Sequence, residues 1–159
     1  MRKTVIILIF CFLFMPANVF PGGVDKSTDQ ILDRTTPWPD KVKLIDEIAP
    51  IGSAKVLETL ITVYDDSSLH AGCPSILYHT VSGLRYFRGN KRALRIVRDG
   101  ITNREPEVRM ISLEVLGMIG SEEDINILKP FLRNQNSFES YYAQIAINNI
   151  KTRAQRSAL

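Results

Sequence analysis

The sequence predicts an all-α fold in which antiparallel helix pairs stack as a solenoid, and three observations support this prediction. The stretch from Glu105 to Leu132 has the pattern of a helix, a tight turn and a second helix, in the roughly 30 residues typical of one helical repeat. Its apolar and glycine positions around Leu113 recur around Ile45, at an offset of 68 residues. None of the 159 residues lies in the sustained apolar–polar alternation that indicates a half-buried strand.

Residues 1–23 have the layout of a secretory signal peptide. An apolar stretch from Thr4 to Met15 follows a basic start, and small residues place the expected cleavage between positions 17 and 23. A retained anchor is the alternative, although this stretch has 12 residues against the roughly 20 that span a bilayer. We therefore expect an exported protein, periplasmic or secreted, that contacts a membrane only through an uncleaved leader.

Residues 24–39 are predicted to form a lead-in that caps the first repeat. Ser27 and Gln30 have the spacing of a capping box for a short helix through Ile31 and Leu32. The prolines that flank Trp38 favour an extended chain, since residues before proline avoid the helical region. Terminal repeats of a solenoid need a cap, so we expect Trp38 to pack as a lid on the first repeat.

Residues 40–152 are predicted to hold the repeats, and residues 153–159 are expected to fray. The expected elements are helix pairs at 40–64, 74–101 and 105–132 and one last helix at 137–151. In the third pair, Gly120 is expected to end the first helix in the left-handed conformation. Ser121 and Asp124 then have the spacing of a capping box for the second helix.

The third pair resembles a HEAT repeat, in the short bacterial form related to phycobilisome lyases. The resemblance rests on Glu105-Pro106-Glu107-Val108-Arg109, the apolar and glycine string to Gly120, and the matching string that ends at Gly52. It implies a right-handed solenoid whose second helices line a concave surface. It also implies that Arg109, with Glu105 in the place of the usual acid, links adjacent repeats by hydrogen bonds.

The residues that carry chemistry do not form a recognisable catalytic motif. The chain has no phosphate-cradling glycine loop, no histidine pair at metal-binding helical spacing and no Gly-x-Ser-x-Gly elbow. HEAT-like proteins include bilin lyases and a metal-dependent hydroxylase with His-Glu pairs, but neither His70 nor His79 is followed by Glu. His70, Cys73 and His79 match no common zinc spacing. We therefore expect no enzyme activity, no metal and no cofactor.

A run of cations without an acid is the candidate binding site, formed by Arg85, Arg88, Lys91, Arg92, Arg95 and Arg98. Arginine forks bind carboxylates and phosphates bidentately, so the run favours an acidic protein or peptide partner. The alternative is a solvated or internally paired surface, because Glu58 aligns with Arg95 and Glu123 with Arg92 in the repeat register. The formal net charge is only +3, which makes nucleic acid an improbable partner.

These observations predict an exported, non-catalytic HEAT-like scaffold for protein–protein interaction. One alternative is a structural subunit of an envelope-associated complex that contacts anionic lipid or polymer through the cationic run. A second alternative is a lyase-type or other enzyme accessory role.

Overall fold

A computed structural model describes residues 21–133 and 137–157, and within these ranges it contains helices and turns but no strand. The predicted all-α fold class is therefore confirmed. The described α-helices are α1 (Pro21–Leu32), α2 (Trp38–Ile48), α3 (Ala54–Asp65), α4 (Pro74–Gly83), α5 (Lys91–Gly100), α6 (Pro106–Ile119), α7 (Ile125–Leu128) and α8 (Phe138–Ser157).

The predicted signal peptide lies mainly in residues 1–20, outside the described residues, and export stays a prediction. Among the described helices, none combines the length and the apolar character needed to cross a membrane.

The helices pack in two layers. In one layer α2, α4, α6 and α8 lie side by side in chain order, and in the other α1, α3 and α5 do the same. The layers contact each other where α3 meets α4 and where α5 meets α6. Each helix pair therefore leaves a flank that the next pair covers, as expected for helical repeats.

The core forms at the positions that the repeated pattern predicts. Ile45 and Ile48 on α2 are 0% and 3% exposed, and their counterparts Leu113 and Leu116 on α6 are both fully buried. Burying one such side chain contributes roughly 1.5–3 kcal/mol. The offset of 68 residues thus relates two helices of the same layer that bury equivalent positions in the core.

The N-terminal lead-in differs from its prediction. Its helix is longer than the predicted short helix that Ser27 would cap, because α1 begins at Pro21 and runs to Leu32. This helix covers both α2 and α3, with Ile31 fully buried. Trp38 opens α2 beside a proline in the first turn and is 54% exposed. Trp38 is therefore not a lid, since α1 already covers the first repeat.

The end of the chain also differs from its prediction. The second helix of the third pair is reduced to the four residues of α7, which 3-10 turns flank. Pro130 explains the interruption, because it lacks an amide proton and its ring clashes with the carbonyl four residues earlier. The described part of the expected frayed tail, residues 153–157, is instead regular helix, since α8 continues through Ser157.

The turn between α6 and α7 is capped as expected, but its glycine is not left-handed. Asp124 accepts the backbone amide of Ser121 at 2.8 Å, and the predicted capping box is present. Gly120 has φ −70° and ψ 174°, an extended conformation. A Cβ there would lie 2.5 Å from the Leu116 carbonyl oxygen, so close packing, and not backbone handedness, requires glycine at this position.

Arg109 joins neighbouring repeats, with partners other than the one that the resemblance implies. Its Nε donates to Glu139 on α8 at 2.6 Å, and its Nη1 donates to the carbonyl oxygens of Asn103 and Arg104 at 2.9 and 3.0 Å. The side chain of Glu105 pairs with Arg104 instead, at 3.2 Å. Arg109 therefore fastens α8 to the loop before α6.

Candidate anion-binding cleft

Two arginines of the predicted binding run are engaged in ion pairs with the preceding repeat. Arg92 pairs with Glu58, and Nη2 of Arg95 lies 3.2 Å from Oδ2 of Asp65. Both pairs are more than half exposed to solvent. Such pairs contribute at most about 1 kcal/mol each, so they bias the surface of α5 toward neutrality more than they hold the fold together.

Arg98 of the same run makes a different kind of contact. Its Nε donates to Oδ1 of Asp124 at 2.6 Å, and the side chain of Asp124 is fully buried. This hydrogen bond raises the pKa of Arg98 above its ordinary value. Arg98 therefore compensates a buried carboxylate that also caps the turn after α6, and its charge is not available to a partner.

The remaining members of the run lie apart from one another. Arg85 donates from Nε to the Ser82 carbonyl oxygen at 2.8 Å and lies 3.5 Å from Glu114. Lys91 and Arg88 are exposed and have no acidic partner in the described part of the chain. Of the six predicted residues, the structure places Arg88 alone in the cleft described next.

Arg88 lines a cleft of about 640 Å³ where the end of α6 meets the last turns of α8. Two further arginines, Arg153 and Arg156, enter it from α8. The complete lining is Arg88, Gly117, Met118, Asn149, Thr152, Arg153, Arg156 and Ser157. None of these residues is acidic, so three cations converge on one concave surface without a carboxylate among the described residues of its lining.

Arg153 is fixed within this cleft by the end of α6. Its Nη1 donates to the Gly117 carbonyl oxygen at 2.9 Å, and its Nη2 donates to the Gly120 carbonyl oxygen. The last carbonyls of a helix have no partner within the helix and carry partial negative charge. Arg153 therefore caps α6 and at the same time ties α8 to it.

Arg153 is partly buried and lies close enough to Arg88 for their like charges to repel. Burial, and then the nearby charge of Arg88, lower the pKa of Arg153 from its ordinary value. The guanidinium nonetheless stays charged at any physiological pH. An anion seated between these side chains would relieve their repulsion.

Arg88 and Arg156 supply the free hydrogen-bond donors of the cleft. Both side chains are exposed, and neither has a hydrogen-bond or ion-pair partner in the described ranges. An adjoining cleft that shares Arg88 and Arg153 also contains Glu122, so one acid lies at the border of this surface. The arrangement can bind an oxyanion, because arginine forks match the geometry of carboxylates and phosphates.

The fold separates His79 from His70 and Cys73. His70 and Cys73 line a separate cleft of about 680 Å³, whereas Nδ1 of His79 lies 2.8 Å from Oδ1 of Asp46. Burial lowers the pKa of His70. Within the described residues, no group of three or more His, Cys, Asp or Glu side chains is arranged to hold a metal ion.

Sequence reasoning missed Arg153 and Arg156, because both lie in the segment expected to fray. A usable signal is present in the sequence: Ile150 and Arg153 continue the helical spacing of Ala146 past residue 152. The prediction instead followed the density of cations around residue 90, and most of these cations lie on α5.

Comparisons with known proteins identify the fold. The family described as HEAT repeats matches residues 67–148, which is half of the chain. The structure of human deoxyhypusine hydroxylase in complex with glycerol is similar, with a TM-score of 0.69 and 20% sequence identity. The match covers 86% of this chain and 46% of the hydroxylase, so this chain spans about half the length of that protein. No curated protein sequence matches it significantly.

The structural likeness corrects the prediction of a non-catalytic scaffold. The predicted scaffold and the expectation of no enzyme activity rest on the absence of a recognisable catalytic motif, yet the similar structure is that of an enzyme. At 20% identity the likeness shows the shared fold, and it does not carry the hydroxylase activity over to this chain. The matched repeats and the two packed helix layers agree with each other: this chain belongs to the HEAT-repeat family.

Proposed function

We propose that this chain recognises a protein partner by seating an acidic segment of that partner in the cleft formed by Arg88, Arg153 and Arg156. The observation that carries the proposal is the convergence of three arginines on a concave surface, with no acid among the described residues that line it. The proposal concerns recognition and assigns no reaction. It also takes the helix pairs to form a right-handed solenoid, as the family resemblance implies.

The contacts within the cleft support recognition of a polypeptide. Asn149, Thr152 and Ser157 add side-chain hydrogen-bond donors and acceptors beside the arginines, and Met118 adds an apolar surface. Arginine is enriched among the residues that dominate binding energy at protein interfaces. A hydrogen bond to a charged group contributes roughly 1.5–3 kcal/mol, and because these arginines are exposed we expect the lower end of that range.

The surface of α5, which holds most of the cationic run predicted from the sequence, has weaker support as the binding site. Arg92, Arg95 and Arg98 would each have to leave a carboxylate before they could bind a partner. A new ion pair would then replace an existing one, with little net gain in free energy. Lys91 is the member of that helix whose charge has no acidic partner among the described residues.

The test measures binding of a fluorescently labelled glutamate-rich peptide by anisotropy. We expect the parent protein to bind it with an affinity that falls as salt rises, because exposed charges are screened over about 8 Å at physiological ionic strength. The double variant Arg88→Glu/Arg156→Glu should bind at least about tenfold more weakly, which corresponds to about 1.4 kcal/mol.

The matched control is Lys26→Glu/Lys91→Glu. It changes the net charge by the same amount at two exposed lysines that have no ion pair in the described residues. An equal loss of affinity in this control would show that net charge, or the surface of α5, governs binding, and the proposed cleft would then be wrong.

A further inference from the structure

We infer that the group seated in the cleft is a phosphoryl group on a serine or threonine side chain of the partner. This inference rests on the proposed function, because it names the chemistry of the ligand for the same three arginines. A carboxylate carries one negative charge and two oxygens. A phosphoryl group on a side chain carries about −1.5 to −2 at neutral pH and three strong acceptor oxygens.

The charge in the cleft matches a dianion better than a single carboxylate. Both terminal nitrogens of Arg153 donate hydrogen bonds to the carbonyl oxygens of Gly117 and Gly120, so this side chain contributes a fixed charge to the cleft. Arg88 and Arg156 each retain a free fork, and they belong to two different parts of the chain. One carboxylate binds one guanidinium bidentately. The charge of the second arginine would then remain uncompensated.

The uncharged lining also suits a phosphoryl group on a polypeptide. Thr152 offers a hydroxyl and Asn149 an amide, which can donate to the oxygens that the forks leave open. The hydroxyl of Ser157 already donates to the Arg153 carbonyl oxygen at 3.1 Å. Met118 and Gly117 form an apolar edge for the flanking peptide. Recognition of phosphorylated segments by clustered arginines is a recurrent mode of peptide binding.

The surroundings of the cleft favour a peptide over a phospholipid headgroup. Among the described residues, the large apolar side chains that are exposed are Trp38, Tyr86, Ile127, Phe138 and Tyr141. None of them lines the cleft. A membrane-binding surface combines its basic residues with aromatic or aliphatic side chains that enter the lipid, and this cleft lacks that second part.

A phosphoryl ligand has a pH signature that a carboxylate lacks. Its second proton dissociates with a pKa of about 6, so its full charge develops between pH 5 and pH 7.5. The charged groups facing the site are Arg88, Arg153 and Arg156, with Glu122 in the adjoining cleft. The arginines do not titrate in that interval, and a Glu122→Gln variant shows whether Glu122 contributes.

The experiment compares three labelled peptides of one sequence that carry phosphoserine, glutamate or serine at the central position. At pH about 7.5 we expect the phosphoserine peptide to bind roughly tenfold more tightly than the glutamate peptide. At pH about 5 most of that advantage should vanish as the phosphate gains a proton. The serine peptide should not bind measurably. Glu122→Gln should leave the pH dependence of the phosphoserine peptide unchanged.

An Arg88→Lys variant tests the geometry, because it keeps the charge and removes the fork. We expect it to lower the preference for phosphoserine over glutamate several-fold, while Lys26→Arg leaves the preference unchanged. Thermal unfolding of both variants verifies that they are folded.

The outcomes separate the two proposals. If the glutamate and phosphoserine peptides bind equally well and without pH dependence, the phosphoryl inference fails while the proposed function stands. If no peptide binds, both fail. If vesicles that contain about a fifth phosphatidic acid capture the protein through these arginines and the phosphoserine peptide does not, the ligand is a lipid headgroup and the inference is overturned.

Discussion

Replacing Gly117 by alanine tests how closely α6 and α8 must approach for the cleft to exist. A Cβ at this position would lie 2.6 Å from Cα and 2.9 Å from Cβ of Ala146. Ordinary van der Waals contact begins near 3.4 Å, so the two helices would have to separate by about 0.8 Å. The obstructing atom belongs to the backbone of α8, and a rotamer change therefore cannot relieve the clash.

The expected change in the free energy of unfolding combines two destabilising effects and one stabilising effect. Overpacking of a close-packed interior typically costs about 1–3 kcal/mol. Separation of the helices also weakens the hydrogen bonds from Arg153 to Gly117 and Gly120, each with a net contribution of about 0.5–1.5 kcal/mol. Alanine offsets part of this loss, because it is about 1 kcal/mol more favourable than glycine inside a helix. We expect a net loss of about 2 kcal/mol in the free energy of unfolding.

Urea denaturation and thermal unfolding, both monitored by circular dichroism, measure this loss. A loss of about 2 kcal/mol lowers Tm by about 4–8 °C for a chain of this size, and the m-value should stay constant if only stability changes. Adding Ala146→Gly should restore part of the stability, since it removes the second of the two close atoms. If Gly117→Ala is as stable as the parent, α6 and α8 do not approach each other as closely as the structure has them.

Two further predictions concern the loops around the repeats. Asp124→Ala should lose about 2–3 kcal/mol, because the capping hydrogen bond and the partner of Arg98 disappear together, whereas Arg95→Ala should lose less than about 1 kcal/mol in the same denaturation assay. His70, whose pKa is lowered by burial, binds protons more weakly in the folded chain than in the unfolded one. Stability should therefore fall as pH drops below about 6.5, and a parallel pH series on His70→Gln should show a shallower fall; an equal fall in both proteins would contradict the assignment.

The repeats were predictable because burial on a helix follows a fixed period. Ile45 and Leu113 both follow from the spacing of apolar residues, which requires no knowledge of the tertiary structure. The glycines show where this reasoning stops. Gly52 has a φ of 64° and needs the left-handed region, whereas Gly120, at the equivalent position, is extended and is constrained by its neighbours. The same residue at equivalent positions of two repeats can therefore be required for different physical reasons.

The candidate site was only partly predictable because pairing between charges depends on which helices stack. The sequence shows that Arg88 and Arg95 lie in one cationic run, but it does not show that Asp65 faces Arg95 and that Arg88 faces α8. Arg156 lies 68 residues beyond Arg88 in the chain. Their proximity results from the packing of α6 against α8, which no local pattern encodes.

The capping of α6 by Arg153 makes the cleft conditional on the docking of the last helix. Whenever α8 detaches, Arg153 and Arg156 leave together, and the recognition surface is reduced to Arg88. A ligand that binds the docked form alone must then hold α8 in place by mass action, by an amount that grows with the logarithm of its concentration. Amide hydrogens of α8 would report that occupancy directly, because their exchange with solvent slows as the helix opens less often.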